Sequence, residues 1–333
     1  MKKLGGQNPA ASSKGRESVI VDALFPASPV TDWNLAPSSA VHNIFQAFDS
    51  VLNTLEFTRV IPEFRPEVLS RAVRRLTPGK AAGPSEIPNE ILRAVALAQT
   101  CAVLRIFNDC LEALMFLPRW KRARLVLLRK SPDKPSDAPS SYRPICMCDA
   151  PEKLLERLLL QRLEDHLDAH GGWIRAPNQF GFRRGVSTES AIGTVLCIAA
   201  QAVTTPRRKS LCVLVTLDVR NAFNSLGWTV IDAALRGINT PEYLVEILRS
   251  WLADGTLLTG EEMVERPVTC GVPQGSVLSP ALWNLTYDSL LKMETPPGMQ
   301  LVGFADDLAV VGMAVTGQQL EEAINPTLTA IDD

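Results

Sequence analysis

The chain has no apolar run that reaches the roughly 18 to 20 residues needed to cross a bilayer, so it offers no membrane-spanning helix. Its longest apolar stretches, residues 191–203 and 211–217, read instead as a buried helix and a buried strand. The N-terminus has Lys2 and Lys3 but no apolar segment behind them, which argues against a secretory signal. Zinc sites are missing as well: the seven cysteines form no Cys-x-x-Cys pair, and no histidine stands at zinc-ligand spacing. An odd cysteine count, mostly inside apolar runs, reads as small core residues in a reducing compartment, and the protein is expected to be intracellular. Internal repeats are absent. Bulk basicity is lacking too, since the formal net charge is -2, which taken alone speaks against a nucleic-acid binder.

The charge that is present is unevenly spread. Residues 116–185 carry 14 Lys and Arg against 8 Asp and Glu, whereas residues 201–333 carry 8 against 16. A basic part suited to phosphates thus precedes an acidic part suited to cations. At 333 residues, 46% hydrophobic and 21% charged, the chain has a globular composition and length for one large or two modest cores.

Residues 1–40 are rich in Gly, Ser, Ala and Pro without periodicity and read as a disordered leader. Helical spacing follows over 41–55 and 66–76, then a breaker-rich loop over 77–88 and one long helix over 89–117. Residues 122–129 and 142–148 read as a hairpin around a polar, Pro-rich turn. Residues 151–170 form an amphipathic helix with Leu154, Leu155, Leu158, Leu159, Leu163 and Leu167 on one side, stopped by Gly171-Gly172. A basic glycine-bearing loop (178–185), a long helix (187–203) and a strand ending on Asp218 come next. Helices over 228–237 and 241–253 and strands around 256–265 precede a loop, 270–276, that runs into a helix over 278–291. A hairpin carrying Asp306 and Asp307 follows.

The chemistry is concentrated in that hairpin. Phe304-Ala305-Asp306-Asp307 puts adjacent carboxylates at the tip of an apolar hairpin, where they serve neither packing nor folding and are suited to cations. A strand sends neighbouring side chains to opposite faces, so both acids reach one site only if the backbone turns there. A third acid, Asp218, ends the apolar strand Leu211-Cys212-Val213-Leu214-Val215-Thr216-Leu217. Three carboxylates at two strand ends can bind two divalent ions. The plainer alternative is that each is a turn former or helix cap.

Read together, the ordered strings Leu217-Asp218-Val219-Arg220-Asn221-Ala222-Phe223-Asn224, Gly271-Val272-Pro273-Gln274-Gly275-Ser276 and Phe304-Ala305-Asp306-Asp307 resemble a reverse transcriptase of the non-LTR retrotransposon type. Lys80-Ala81-Ala82-Gly83-Pro84, Ser141-Tyr142-Arg143-Pro144-Ile145 and Asn178-Gln179-Phe180-Gly181-Phe182-Arg183 resemble its finger motifs. Asn221-Ala222-Phe223-Asn224-Ser225 and Leu282-Trp283-Asn284 are most similar to the clade that inserts into ribosomal RNA genes. The resemblance spans roughly residues 60–315.

It implies an α+β right-hand polymerase of palm and fingers. The expected organisation is a leader over 1–40, a helical lead-in and fingers over 41–185 and a palm over 186–333, with the polymerase domain covering about 110–333. The implied activity is RNA-directed DNA synthesis, with RNA template, DNA primer or nicked target DNA, and deoxynucleoside triphosphates as partners. No membrane is implied, and protein partners are unknown. The implied site of action is the nucleus, at integration, or the cytoplasm. Two magnesium ions, with manganese as the alternative, would be held by Asp218, the Val219 carbonyl, Asp306 and Asp307. Phe223 would lie under the nucleotide sugar and exclude a 2′-hydroxyl. Gln274 and Gly275 would face the nucleotide and template base, Lys130 and Arg143 the triphosphate, and Arg183 and Arg184 the template or primer backbone.

The chain departs from the family at two places. Ala82 stands where a proline is common, and Ser85-Glu86 replaces an Asp-Gly. The family continues into a helical thumb, yet the chain stops 26 residues after Asp307 (333 - 307), so the expectation is a fragment with the thumb absent. Rival readings are another palm polymerase, a metal-dependent nuclease, and a catalytically silent relic that binds nucleic acid or a partner.

Overall fold

The computed structural model describes residues 9–27, 61–169, 176–204 and 210–332. In chain order the helices and strands are α1 (Pro9–Leu24), α2 (Pro66–Arg74), α3 (Asn89–Ala98), α4 (Thr100–Glu112), β1 (Arg122–Arg129), β2 (Tyr142–Met147), α5 (Ala150–Ala169), α6 (Thr188–Thr204) and β3 (Leu211–Asp218). A one-turn α7 (Ala222–Ser225) leads to α8 (Trp228–Gly237), α9 (Glu242–Leu252), β4 (Thr256–Thr259), β5 (Val264–Pro267), α10 (Ser279–Leu291), β6 (Met299–Phe304), β7 (Asp307–Ala314) and α11 (Gly317–Asp332).

The leucine stripe of α5 organises the larger core. All six leucines are buried in one core with residues of α2, α3, α4, α8 and α9. Each such burial is worth about 1.5–3 kcal/mol relative to exposure, so this helix dominates the packing of the N-terminal half.

Two sheets flank that core. The first has the order β2-β1-β4-β5, with the β1–β2 hairpin antiparallel and β1 parallel to β4. The hairpin expected at 122–148 is therefore half of a larger sheet, completed by strands from much later in the chain. The second sheet has the order β3-β7-β6, all antiparallel. Its alternating side chains supply two cores. Leu301, Leu308 and Val310 pack on α10 and α11, while Val302 and Val311 pack against Ala191 and Ile198 of α6.

Several expectations need correcting. Residues 9–24, read as part of a disordered leader, form α1, whose Ile20, Val21 and Leu24 are buried and whose Val21 joins the core over the first sheet. Residues 1–8 and 28–40 of that leader, and the helix expected at 41–55, lie outside the described residues. The single helix expected at 89–117 is two, because Gln99 leaves helical geometry (φ -126°, ψ 46°) and Thr100 Oγ1 donates to the Ala96 carbonyl at 2.9 Å. Neither apolar run is fully buried: Leu211 and Leu214 of β3 are 50% and 51% exposed, and Leu196 and Val203 of α6 are 63% and 76% exposed. The reason is topological, since β3 is an edge strand and α6 covers the sheet with only one of its sides. Three of the seven cysteines, Cys101, Cys197 and Cys212, are exposed rather than core.

Candidate active site

Strand pairing brings two of the acids face to face. Asp218, the last residue of β3, is the register partner of Asp307, the first residue of β7. Directly opposed residues of an antiparallel pair point to the same face with Cα atoms about 4.5–5.5 Å apart. Between β6 and β7 the chain turns within two residues, since Phe304 is paired with Asp307. Asp306 sits in this turn, and Ala305 before it has a left-handed φ of 57°.

A left-handed alanine costs about 1 kcal/mol and persists only if its surroundings hold it. Here Gln179, fully buried, does so with both ends of its amide. Its Oε1 accepts from the Ala305 N–H at 3.1 Å, and its Nε2 donates to the Ala305 carbonyl at 3.3 Å. Trp283 Nε1 donates to the same carbonyl at 3.0 Å. The chain carrying Gln179 runs along β6: the Gly303 N–H donates to the Asn178 carbonyl and the Phe180 N–H to the Gly303 carbonyl, each at 2.8 Å. Gly181 completes the contact, because a Cβ there would stand 2.0 Å from the Ala305 nitrogen. Only glycine lets two backbones approach so closely.

In front of this turn lies a cleft of about 650 Å³. It is lined by Lys130, Arg143, Asp218, Val219, Phe223, Gln274, Gly275 and Asp306. These come from the end of β1, from β2, from β3 and the turn after it, from the loop before α10, and from the acid turn. Phe223 is half-buried and stacks on Trp283 (centroids 5.5 Å apart, 14° between planes), which stacks in turn on Tyr287. Phe182 meets the Phe223 ring edge-on at 5.7 Å. The phenyl wall of the cleft is thus held from two sides.

The loop at 271–276 is pinned at both ends. Its Val272 N–H donates to the Phe223 carbonyl, and its Gln274 carbonyl accepts from the Cys146 N–H of β2, both at 2.8 Å. Gly275 has φ 136°, and a Cβ there would lie 2.3 Å from the Cys146 carbonyl oxygen.

The other basic residues lie elsewhere. Arg183 and Arg184 line a separate cavity of about 230 Å³ that shares Phe182 with the cleft, and Arg183 Nη1 donates to the carbonyls of Ala176 (2.7 Å) and Gln179 (3.0 Å). Arg183 thereby braces the loop that holds the acid turn.

The electrostatics of the three acids suit a cation. Burial, then the charges of Asp306 and Asp218, push the Asp307 carboxyl above its ordinary range. Burial, with the same Asp306 and Asp307 behind it, pushes the Tyr287 hydroxyl up to about 12. Among the described residues none of the three acids has a salt-bridge partner. Nor, among the described residues, do three His, Cys, Asp or Glu side chains stand close enough to hold an ion by themselves. A divalent ion held by the opposed Asp218 and Asp307 or by Asp306 would need waters or other oxygen ligands to complete its shell.

Three contributors were missed by sequence reasoning. Gln179 and Phe182 lie inside a recognised motif but carry no local sign of what they touch. Leu24 of α1 lines the cleft, and Asn221 Nδ2 donates to the Ala23 carbonyl at 3.1 Å, so the segment taken for a leader forms part of the cleft wall.

Comparison with known proteins identifies the family. Residues 129–331 match the family described as reverse transcriptase (RNA-dependent DNA polymerase). The chain is 33% identical over 316 residues to the Pol polyprotein of the type-1 retrotransposable element R1 of Bradysia coprophila, covering 92% of this chain and 30% of that one. It is 26% identical over 290 residues to the RNA-directed DNA polymerase from the mobile element jockey of Drosophila melanogaster, covering 84% and 30%. The Pol polyprotein of the element R2 of Popillia japonica is 30% identical over 206 residues, 58% of this chain and 27% of that one. The chain therefore spans about 30% of the length of such relatives. Among solved structures, truncated apo telomerase from Candida tropicalis aligns over 65% of this chain and 47% of its own, with TM-score 0.46 and 12% identity. With its motifs in order along the matched region, the chain belongs to the reverse transcriptase (RNA-dependent DNA polymerase) family, of the non-LTR retrotransposon type.

Proposed function

We propose that this chain adds deoxynucleotides to a primer 3′-hydroxyl on an RNA template, with a nicked chromosomal target in the nucleus as its primer. The observation that carries the reading is that eight residues singled out from separate motifs line one cleft. Lys130 and Arg143, both exposed at its rim, receive the triphosphate as a point charge and a bidentate fork. Phe223, braced by Trp283, stands where a 2′-hydroxyl would collide. The Gln274–Gly275 backbone faces the nascent base pair. Asp218, Asp306 and the Val219 carbonyl would hold two magnesium ions, with Asp307 beside them, and the bound ions would neutralise the charge developing on the transferred phosphoryl group.

The test is extension of a labelled DNA primer on an RNA template with magnesium and deoxynucleotides, comparing the chain with Asp306→Ala. Extension that falls about a hundredfold or more in the variant is expected. Absence of extension by the unaltered chain would overturn the proposal in favour of a silent relic that binds nucleic acid or a partner.

A further inference from the structure

A helix leaves its last carbonyls without partners inside the helix. At the end of α1 and just beyond it, two carbonyls are taken by side chains from far along the chain. Asn221 Nδ2 donates to the Ala23 carbonyl at 3.1 Å, and the buried Cys270 thiol donates to the Pro26 carbonyl at 3.0 Å. The opposite attachment of α1 is to the first sheet. Val21 is buried with Ala123 and Leu125 of β1, Cys146 of β2 and Leu257 of β4. Arg266 of β5 donates to the Asp22 carboxylate and, at 2.6 Å, to the Ser18 hydroxyl. Helix α1 thus ties the first sheet to the turn after β3, two parts of the fold that no strand pairing joins among the described residues.

Asn221 is where that turn takes its shape. It has a left-handed φ of 54°, which asparagine tolerates better than most residues, and it starts the one-turn α7. Its carbonyl accepts from the N–H groups of Asn224 at 2.8 Å and Ser225 at 3.0 Å. An asparagine at a helix start ordinarily turns its side chain back onto the helix N–H groups. Here it makes no such bond and reaches α1 instead. Phe223 lies within this single turn, so the shape of the turn sets where its ring stands in the cleft.

We propose that α1 is a strap that holds the turn after Asp218 in shape, with Asn221 as the positioning residue, and that it thereby sets how strictly Phe223 excludes a 2′-hydroxyl. The effect on sugar selection rests on the polymerase reading, whereas the strap rests on its contacts alone.

The test has two arms, both on the full chain. The first is amide hydrogen exchange without magnesium or nucleotide, so that a chain inactive in primer extension still reports. The Asn224 and Ser225 N–H groups, both bonded to the Asn221 carbonyl, are the reporters. Asn221→Asp keeps the bulk but cannot donate, Asn221→Gly keeps the left-handed backbone without the amide, and Val21→Ala loosens α1 from the sheet side without touching the turn. Leu104→Ala, in the α4 part of the larger core, controls for general loosening. Arg266→Gln loosens the same anchor as Val21→Ala and replaces it should that variant fail to fold. Exchange at the reporters about fivefold or more faster is expected in the Asn221 and Val21 variants, with Leu104→Ala unchanged. The second arm is single-nucleotide incorporation, where Val21→Ala is expected to raise ribonucleotide use relative to deoxynucleotide use about threefold or more. Unchanged exchange in the Asn221 variants, a response to them but none to loosening α1, or an equal rise in Leu104→Ala would overturn the strap. Faster exchange with an unaltered sugar ratio in Val21→Ala would overturn its link to Phe223.

Discussion

Gln179 and Ala305 are joined by both ends of one amide, which accepts from the Ala305 N–H and donates to its carbonyl. The turn that places Asp306 therefore depends on a side chain 126 positions upstream. Gln179→Leu removes both bonds and leaves two buried backbone groups less satisfied, at a cost of about 1–3 kcal/mol. Displacing the acid by even about 1 Å is expected to lower primer extension on the order of a hundredfold. Extension kinetics with a magnesium titration check this. The turnover falls and the magnesium midpoint rises while the KM for deoxynucleotide changes little; a change in KM alone would contradict the role given to Gln179.

In the proposed reaction Phe223 reads the sugar, and stacking on Trp283 and the edge of Phe182 fix its ring at the cleft wall. Phe223→Ala is expected to raise ribonucleotide use relative to deoxynucleotide use by about tenfold or more, since the barrier to the 2′-hydroxyl is steric. Phe182→Ala is expected to have a smaller effect in the same direction, the edge-on pair being worth about 0.5–1.5 kcal/mol. Single-nucleotide incorporation with each triphosphate measures the ratio. An unaltered ratio in Phe223→Ala would reduce that ring to a core residue.

Glu86 stands where the family commonly has a glycine, and its φ is 58°. The loop closes with the Glu86 N–H donating to the Gly83 carbonyl at 3.0 Å, and Ser85 donates to Asp149 Oδ1 from both its N–H and its hydroxyl at 2.8 Å. The substituted serine thus makes a specific anchor, while the substituted glutamate carries left-handed strain. Glu86→Gly is expected to stabilise the protein by about 1 kcal/mol, seen as a higher denaturant midpoint with an unchanged slope.

Glu152 and Glu156 lie one turn apart inside α5. Burial raises both carboxyls above the ordinary 4.5, Glu152 further through the charge of Glu156, while the Val277 N–H partly offsets the rise at Glu156. Because the folded-state values are raised, the folded protein binds protons more tightly than the unfolded chain, and stability falls as pH rises. The contribution is fully present below about 4.5 and is lost as pH climbs through the folded-state values. Melting temperature measured across a pH series should therefore decline on moving up from 4.5, and Glu152→Gln should flatten the decline. An identical slope in Glu152→Gln would show that the pair is not its source.

Much of the fold is local and was legible. The α5 leucine stripe, the β6–β7 hairpin and the β3 strand follow from side-chain periodicity, since a helix or strand must turn its apolar positions to one neighbour. Helix α11 escaped this reading, and Pro326 inside it is a breaker by local rules. The break at Gln99 escaped too, because the apolar spacing continues across it. The parallel pairing of β1 with β4 has no local signature at all, as it joins residues more than a hundred positions apart.

By itself the sequence determined which chemistry is available. The motif order, the acids Asp218, Asp306 and Asp307 and the aromatic Phe223 name a polymerase family, because side-chain type and spacing are covalent facts. Only the tertiary structure decided how those residues meet. The β3–β7 register sets Asp218 opposite Asp307, Gln179 holds Ala305 in a strained turn, Trp283 backs Phe223, and α1 closes one side of the cleft. The tertiary structure also made Arg183 a brace of the loop that holds the acid turn. Such contacts bring together groups far apart in the chain, and packing selects them after the local elements have formed.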